Sequence, residues 1–506
     1  MPKYILAHDL GTSGNKASLF TEEGKMIGSE VASYDVHYFN GTWAEQNADD
    51  WWQAVCHSTK SLINRLDINP SNIAVVSFSG QMMGCLCVDE TGQPLREAII
   101  WADQRAQEQV TMIEKQISQK DYYQIVGHRN TASYGLQKFI WIKDNEPEIY
   151  EKTYKVLNAK DYIVAKLTGN FYTDYSDGNG FGCFDINNLQ WSDKLIDIAN
   201  IDKNKLPELK PSTFQAGKVT LKASEHTGLL EGTPVVIGGG DGVTASVGAG
   251  SIEPGKTYCS VGTSAWITTA AEKPIFDEEM RTVNWAHVVP GLYAPNGTMQ
   301  TAGESYSWLT KTLFKEVIQE AKEKGVSPYE LINEEIEKVP IGSNGVLFLP
   351  YLLGERAPRW DAYAKGAFIG LKSETSNWDL ARSVLEGVSF NLAIVLEALR
   401  KEMVIDEITI IGGGAKGPVW RQIMSEIYNA DLLVPEVIEE ASSMGAAVTG
   451  GVGIGLFEDF TVVNDFIEIN DTHHPDAASV KDYEPYKELF EESYQALQEV
   501  FVKLSK

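Results

Sequence analysis

Short β-branched and aliphatic runs recur along this chain, each entered by proline or closed by glycine. Between them lie stretches in which apolar residues return every three or four positions. The first pattern predicts buried strands and the second amphipathic helices. Residues 3–20 and 26–31 predict strand, glycine-rich turn, strand, hairpin turn at 22–25, strand. Asn47 or Asp49 caps a predicted helix with Trp52, Val55, Leu62, Ile63 and Leu66 at helical spacing. A strand at 73–79 runs into Gly80-Gln81-Met82-Met83-Gly84 and a second strand at 85–88. The apolar run at 98–105 ends in Asp103 and Arg105. Residues 121–211 read as helical and loop-rich, with a polar loop at 173–180, either a lid-like insertion or the far side of the first domain. A strand at 234–237 passes through three glycines into Asp241 and the small-residue helix start Thr244-Ala245-Ser246. The pattern then restarts, with strand, Gly-Thr-Ser turn and strand over 256–267. Val261-Gly-Thr-Ser-Ala265 echoes Leu10-Gly-Thr-Ser-Gly14 and suggests a duplicated α/β unit. A strand at 346–349, a long helix at 383–400, a strand at 408–411 running into Gly412–Ala415, a helix at 419–428 and a strand at 432–434 complete it.

Composition narrows the classes. At 506 residues the chain exceeds one ordinary core, so at least two domains are expected. A net charge of −27 argues against nucleic-acid or anionic-membrane partners, because phosphate-rich surfaces require clustered Lys and Arg. Any bound phosphate must then be met by backbone amides, a few cations and a metal ion. The five cysteines are scattered, which predicts buried thiols and no zinc site. No segment approaches the roughly 18 apolar residues of a membrane span, and no charged leader precedes the first strand, so a cytoplasmic location is expected.

Two turns and one carboxylate carry the candidate chemistry. Gly11, Thr12, Ser13 and Gly14 offer free amides and hydroxyls in a small concavity, with Asp9 at its entrance and Lys16 just beyond. No Gly-Lys-Ser/Thr follows, so this is not a Walker loop, and a plain hairpin is the competing reading. Asp241 emerges from a strand end through backbone without side-chain bulk, which suits close contact with a ligand; a helix N-cap is the alternative.

Three glycine-rich turns with an Asp at the midpoint resemble the actin-like ATPase superfold, and the finer pattern resembles the FGGY family of carbohydrate kinases. The residues that carry the resemblance are 365–371 followed by 379–386, the stretch 138–145, Gly80-Gln81-Met82, Trp101, 351–358 and 412–415. Gly135 departs from the family, which has Pro, Ser or Thr there. The resemblance covers residues 3–456 and is strongest to the xylulose kinases, with gluconate kinases sharing several stretches. It implies an α/β fold of two actin-like (ribonuclease H-like) ATPase domains with an interdomain cleft. These would be an N-terminal sugar domain, 1–250, and a C-terminal nucleotide domain, 251–506. It also implies ATP and Mg²⁺ as cofactors, a small sugar or polyol as substrate, and leaves a homodimer open. Residue by residue, it implies Asp9 as the Mg²⁺ contact and Gly11, Thr12, Ser13 and Lys16 at the first phosphate site. Gly262, Thr263 and Ser264 would form the second, Gly303, Gly413, Gly414 and Ala415 the nucleotide's sugar and base contacts, and Asp241 the catalytic base. Gln81, Met82, Met83 and Asp103 would face the sugar, with Asp241. Met83 stands where xylulose kinases usually carry His, Lys16 where glycerol kinases carry Arg, and Asp103 has a surface pairing with Arg105 as its alternative. Tyr351, Glu355 and Arg356 are placed in the cleft, the last two with a structural Glu–Arg pair as the alternative. The implied reaction is phosphorylation of D-xylulose to D-xylulose 5-phosphate. Competing readings are a gluconate or other polyol kinase, a non-kinase actin-like ATPase, and a sugar-responsive regulator.

Overall fold

Two seven-stranded sheets dominate the computed structural model, which describes residues 3–436 and 440–505. The first sheet runs Gln215–Lys218, Pro234–Val236, Ile73–Gly80, Tyr4–Leu10, Gly14–Thr21, Met26–Ser33, with Gly239–Gly240 pairing on the end of Ile73–Gly80. The second runs Val283–Ala286, Tyr293–Met299, Ala265–Thr269, Thr257–Val261, Glu407–Ile411, Asp431–Pro435, Ile469–His473. The echo between the two Gly-Thr-Ser turns is structural. Tyr4–Leu10 pairs antiparallel with Gly14–Thr21 and parallel with Ile73–Gly80. Thr257–Val261 pairs antiparallel with Ala265–Thr269 and parallel with Glu407–Ile411. Each turn therefore closes a hairpin at the end of a central strand, where parallel α/β sheets place their ligands.

Helix starts follow local chemistry. Asn47, not Asp49, is the N-cap of Ala48–Arg65, accepting from the Asp49 amide. The helix read from residue 383 begins earlier, at Asn377, because Ser376 and Asp379 form a reciprocal capping box. The segment read as a polar loop at 173–180 is largely the helix Tyr175–Phe181, started by Asp174, whose carboxylate accepts from the Ser176 and Asp177 amides.

Long-range packing ties the halves together. Tyr122, Phe139, Phe181 and Trp191 of residues 121–211 share a core with Cys85, Ile99 and Ile113 before them and with Ala286 of the second half. Tyr123 and Thr282 share a 2.7 Å hydroxyl bond, and Asn179 Oδ1 accepts the Ala286 amide at 3.1 Å. A lid reading does not suit a segment that shares its core with the first half and is bonded to the second at Tyr123 and Asn179. The chain also crosses back late. The small-residue helix Ala441–Gly453 lies on the first sheet, where Ala446 and Ala447 join Ile5, Ala7, Val75 and Val236. It packs on Asp241–Gly248 so closely that a Cβ on Gly445 would overlap the Thr244 carbonyl. All five cysteines are free thiols. No described helix is long and apolar enough to cross a membrane.

Candidate active site

Register brings the first set of residues together. Asp9 lies opposite Ser79, and Gly80 pairs with Leu10 on one side and Gly240 on the other, so three strand ends meet. The turn after Asp9 is closed by a single backbone bond, Gly11 N to Gly14 O at 2.9 Å, leaving the amides of Thr12 and Ser13 outside it. Three donors hold its shape: Tyr34 Oη to Gly11 O (2.6 Å), Gln46 Nε2 to Thr12 O (2.7 Å) and Trp101 Nε1 to Thr12 Oγ1 (2.9 Å). Gln46 Oε1 in turn accepts from Gln81 Nε2 at 2.8 Å. One amide side chain thus links the Gly11–Gly14 turn to the Gly80–Gly84 turn. Gln81 Oε1 is buried with no protein donor, an open acceptor beside the site.

Asp241 is the first residue of the helix Asp241–Gly248, and Gly240 is its N-cap, so the capping role proposed for Asp241 falls to its neighbour. Its Oδ1 accepts the Gly242 amide at 2.7 Å. The carboxylate reaches solvent, yet surrounding protein raises its pKa to about 7, with the charge of Asp9 adding to the effect. Burial also raises the pKa of Asp9, opposed by a Ser79 hydrogen bond and by Lys16. Lys16 is not a free cation: its Nζ pairs with Glu440 Oε2 at 2.9 Å.

The second set gathers at the end of Thr257–Val261. Gly262 N bonds Ser264 O at 2.9 Å, leaving the amides of Thr263 and Ser264 outside the turn. Gly303 N donates to Gly262 O (2.9 Å), and Ala302 N and Glu304 N donate to Thr263 O (2.9 and 3.1 Å). Gly414 packs beside Val261, Gly413 faces open space, and Ala415 belongs to the same 3₁₀ turn, Gly413–Lys416.

In the Gly80–Gly84 turn, Met82 is buried and fills the space that a Cβ on Gly240 would need. Met83 is half-buried and left-handed at φ 63°, its carbonyl accepting from Lys138 Nζ at 2.9 Å. Lys138 is fully buried, also donates to Ser133 O, and burial lowers its pKa to about 7. Asp103 is a correction. It is neither at the surface nor open to a sugar: Oδ1 accepts Arg105 N and Nε, Oδ2 accepts Arg105 Nη2 and the Ala44 amide, and Asp103 itself has no exposure. Arg105 is itself held by Glu45 at 2.7 Å and stacked on Trp43, so this carboxylate serves a buried strut. Tyr351 is buried beside Asn391 and Arg359. Glu355 accepts the Gln300 and Arg356 amides and the Asn391 amide group, and burial raises its pKa to about 8. Arg356 donates Nε to Gln300 Oε1 at 2.6 Å and forms no ion pair among the described residues, so no Glu355–Arg356 side-chain pair exists.

The N-terminal domain of the FGGY family of carbohydrate kinases matches residues 4–248, and its C-terminal domain matches residues 257–454. The chain belongs to this family. It is a carbohydrate kinase. The gluconokinase of Bacillus licheniformis is 32% identical over 508 residues, covering 100% of this chain and 98% of that protein. The xylulose kinase of Staphylococcus xylosus is 30% identical over 493 residues, covering 97% and 99%. Among solved structures, a ligand-bound xylulose kinase from Lactobacillus acidophilus superposes with a TM-score of 0.92 at 26% identity, over 99% of this chain and 100% of that one. A gluconate kinase from Lactobacillus acidophilus does so with the same score and identity, over 100% of both. The two sheets of this kinase are accordingly the two actin-like domains of the family.

The family uses ATP, and the residues present suit it: two turns whose amides lie outside their closing bonds, and the glycines Gly303, Gly413 and Gly414. They also suit a divalent cation. Burial raises the proton affinity of Asp9 and of Asp241, the charge of Asp9 adds to the latter, and no basic side chain pairs with Asp241 among the described residues. No described group of three or more His, Cys, Asp or Glu forms a complete cage. That is the arrangement Mg²⁺ favours, with one or two carboxylates and the remainder from phosphate and water. Sequence reasoning missed Gln46, Lys138 and Glu440 as parts of this site. Lys138 stood within a family motif, but neither Gln46 nor Glu440 carries any local signal.

Proposed function

We propose that this kinase transfers the γ-phosphoryl group of ATP to a hydroxyl of a small open-chain sugar, D-xylulose first among them, in the cytoplasm. The observation that carries the reading is Asp241: a carboxylate delivered by a glycine tip, reaching solvent, with a pKa near 7 and Asp9 beside it. A general base works best with a pKa close to the working pH. Asp241 takes the proton of the attacking hydroxyl as its oxygen approaches phosphorus. The amides of Thr12, Ser13, Thr263 and Ser264 hold the phosphate oxygens, and Gly303, Gly413, Gly414 and Ala415 receive the nucleoside. Mg²⁺, held by Asp9, would supply charge neutralisation at the phosphates. Gln81 Oε1 and the Met82–Met83 wall face the sugar. Closure of units 1–250 and 251–506 would exclude water.

A second reading, gluconate, is favoured by Arg356 and by the 32% identical gluconokinase. A guanidinium that makes no direct ion pair among the described residues, with the charge of Glu355 nearby, matches the acid end of an aldonate. One experiment separates the readings: ADP release measured across xylulose, ribulose, gluconate, glycerol and erythritol, with the product identified by mass. The highest kcat/KM on xylulose supports the first reading. The highest on gluconate, lost in Arg356→Met, supports the second. ADP release without a phosphorylated product would sink both.

A further inference from the structure

A buried polar network lies just behind the strand tip that delivers Asp241, and the reaction described above does not use it. Lys160, Asp161, Asp174, Ser176 and Asp177 are all without exposure. Lys160 Nζ pairs with Asp161 at 2.7 Å, Asp174 at 2.8 Å and Asp177 at 3.0 Å. Asp174 Oδ2 accepts the Ser176 amide at 2.9 Å, the Ser176 hydroxyl at 2.5 Å and the Ser212 hydroxyl at 2.9 Å. The hydroxyl of Ser176 has its proton committed to Asp174, and its oxygen accepts one further bond, from the amide of Gly240 at 2.9 Å. Gly240 is the residue immediately before Asp241 and the N-cap of its helix.

We propose that Ser176, held by Asp174 and Lys160, is a positioning residue that sets the aim of the Asp241 carboxylate through the Gly240 amide. The Gly239–Gly240 tip has no side chains to anchor it, and it pairs on one side only, with Ser79 and Gly80. On the other side the Ser176 bond holds the Gly240 amide, while the Thr244 hydroxyl donates to the Gly240 carbonyl at 3.0 Å. The helix bearing Ser176 is itself well placed: Asn179 accepts the Ala286 amide of the second sheet, and Gly180 lies between Met83 and Trp285. The same short helix therefore references the base to the sugar-facing turn. A misplacement of about 1 Å at a reacting group costs roughly 10²-fold in rate, so one hydrogen bond at the tip has leverage.

This inference rests on Asp241 being the base, and its test uses a double-mutant cycle on the full chain. The proteins are wild type, Ser176→Ala, Asp241→Asn and the double variant, with Ser176→Thr as the conservative control. Each is assayed on its best sugar for kcat and for the KM of ATP, with the melting temperature recorded. The expected result is a fall of about tenfold or more in kcat for Ser176→Ala, an unchanged KM for ATP, and recovery in Ser176→Thr. In the Asp241→Asn background the same change costs little, so the two fold-losses differ by about fivefold or more. A smaller difference means that Ser176 acts only on the fold and overturns the proposal. Asp241→Asn with near wild-type kcat would instead sink the base reading itself, which this cycle reports separately. If Ser176→Ala does not yield folded protein, Ser176→Cys, similar in size and a weaker acceptor, is read by the same criterion.

Discussion

Asp241 gives up its proton near pH 7 because protein crowds it and Asp9 stands beside it, and both effects oppose the charged form. Asp241→Asn should lower kcat by roughly 10²–10⁴ with ATP-analogue binding retained. In the wild type kcat/KM should climb with pH up to about 7 and level off above it, and the variant should lose that limb. The sign for stability is the reverse. An acid whose folded pKa is raised makes the fold less stable as pH passes from the ordinary carboxylate range up to about 7. Asp241→Asn should therefore raise the melting temperature at pH 8 and leave it unchanged at pH 3, read by calorimetry. Met83 makes the second prediction. A thioether is a poor hydrogen-bonding partner where a histidine would be a good one, and histidine tolerates the left-handed backbone found here. Met83→His should raise kcat/KM on xylulose about tenfold, ~1.4 kcal/mol of transition-state binding. A wild type already efficient on xylulose and damaged by the change would rule out an altered pocket. Asp103 shows the limit of residue-level reading: its spacing from Arg105 was visible, but whether the pair sat at the surface or in the core was not.

Single elements were legible wherever their signals were local. Strands bounded by glycine and proline, and the caps at Asn47 and Ser376, follow from backbone preferences that neighbours in sequence decide. Tyr175–Phe181 escaped because Asp, Gly and Asn are poor helix formers. Its helix exists because Asp174 caps it and every residue from Ser176 to Phe181 is buried. The helix Gly135–Asn145 carries Lys138, whose two donated bonds tie Met83 O and Ser133 O to one ammonium group. Lys138→Met would leave two buried carbonyls unpaired and release the Gly80–Gly84 turn, which the proposed function places against the sugar. The expected outcome is an increase of about tenfold in the KM for sugar with the KM for ATP unaltered. Equal changes in both constants, or a change in neither, would show that Lys138 does not shape the sugar turn.

At the scale of the whole molecule, the proposed reaction would require the Gly11–Gly14 and Gly262–Ser264 turns, carried by separate sheets, to meet across the nucleotide. ATP hydrolysis without sugar should be slow compared with the kinase rate, and the radius of gyration by X-ray scattering should fall when sugar and a non-hydrolysable ATP analogue are added together. An equal ATPase rate in the absence of sugar would point to an uncoupled ATPase. What the sequence by itself determined is the set of local conformations: two copies of strand–glycine turn–strand, a glycine tip ending in Asp241, and the helices between. These follow from side-chain periodicity and from where glycine alone permits the chain to turn or approach. Only the tertiary structure decided which groups meet: Lys16 with Glu440, Asp103 with Ala44, Ser176 with Gly240, and Ala441–Gly453 beneath the first sheet. A buried charge or amide must find a partner wherever packing supplies one, and that partner lies at a sequence distance no local pattern encodes.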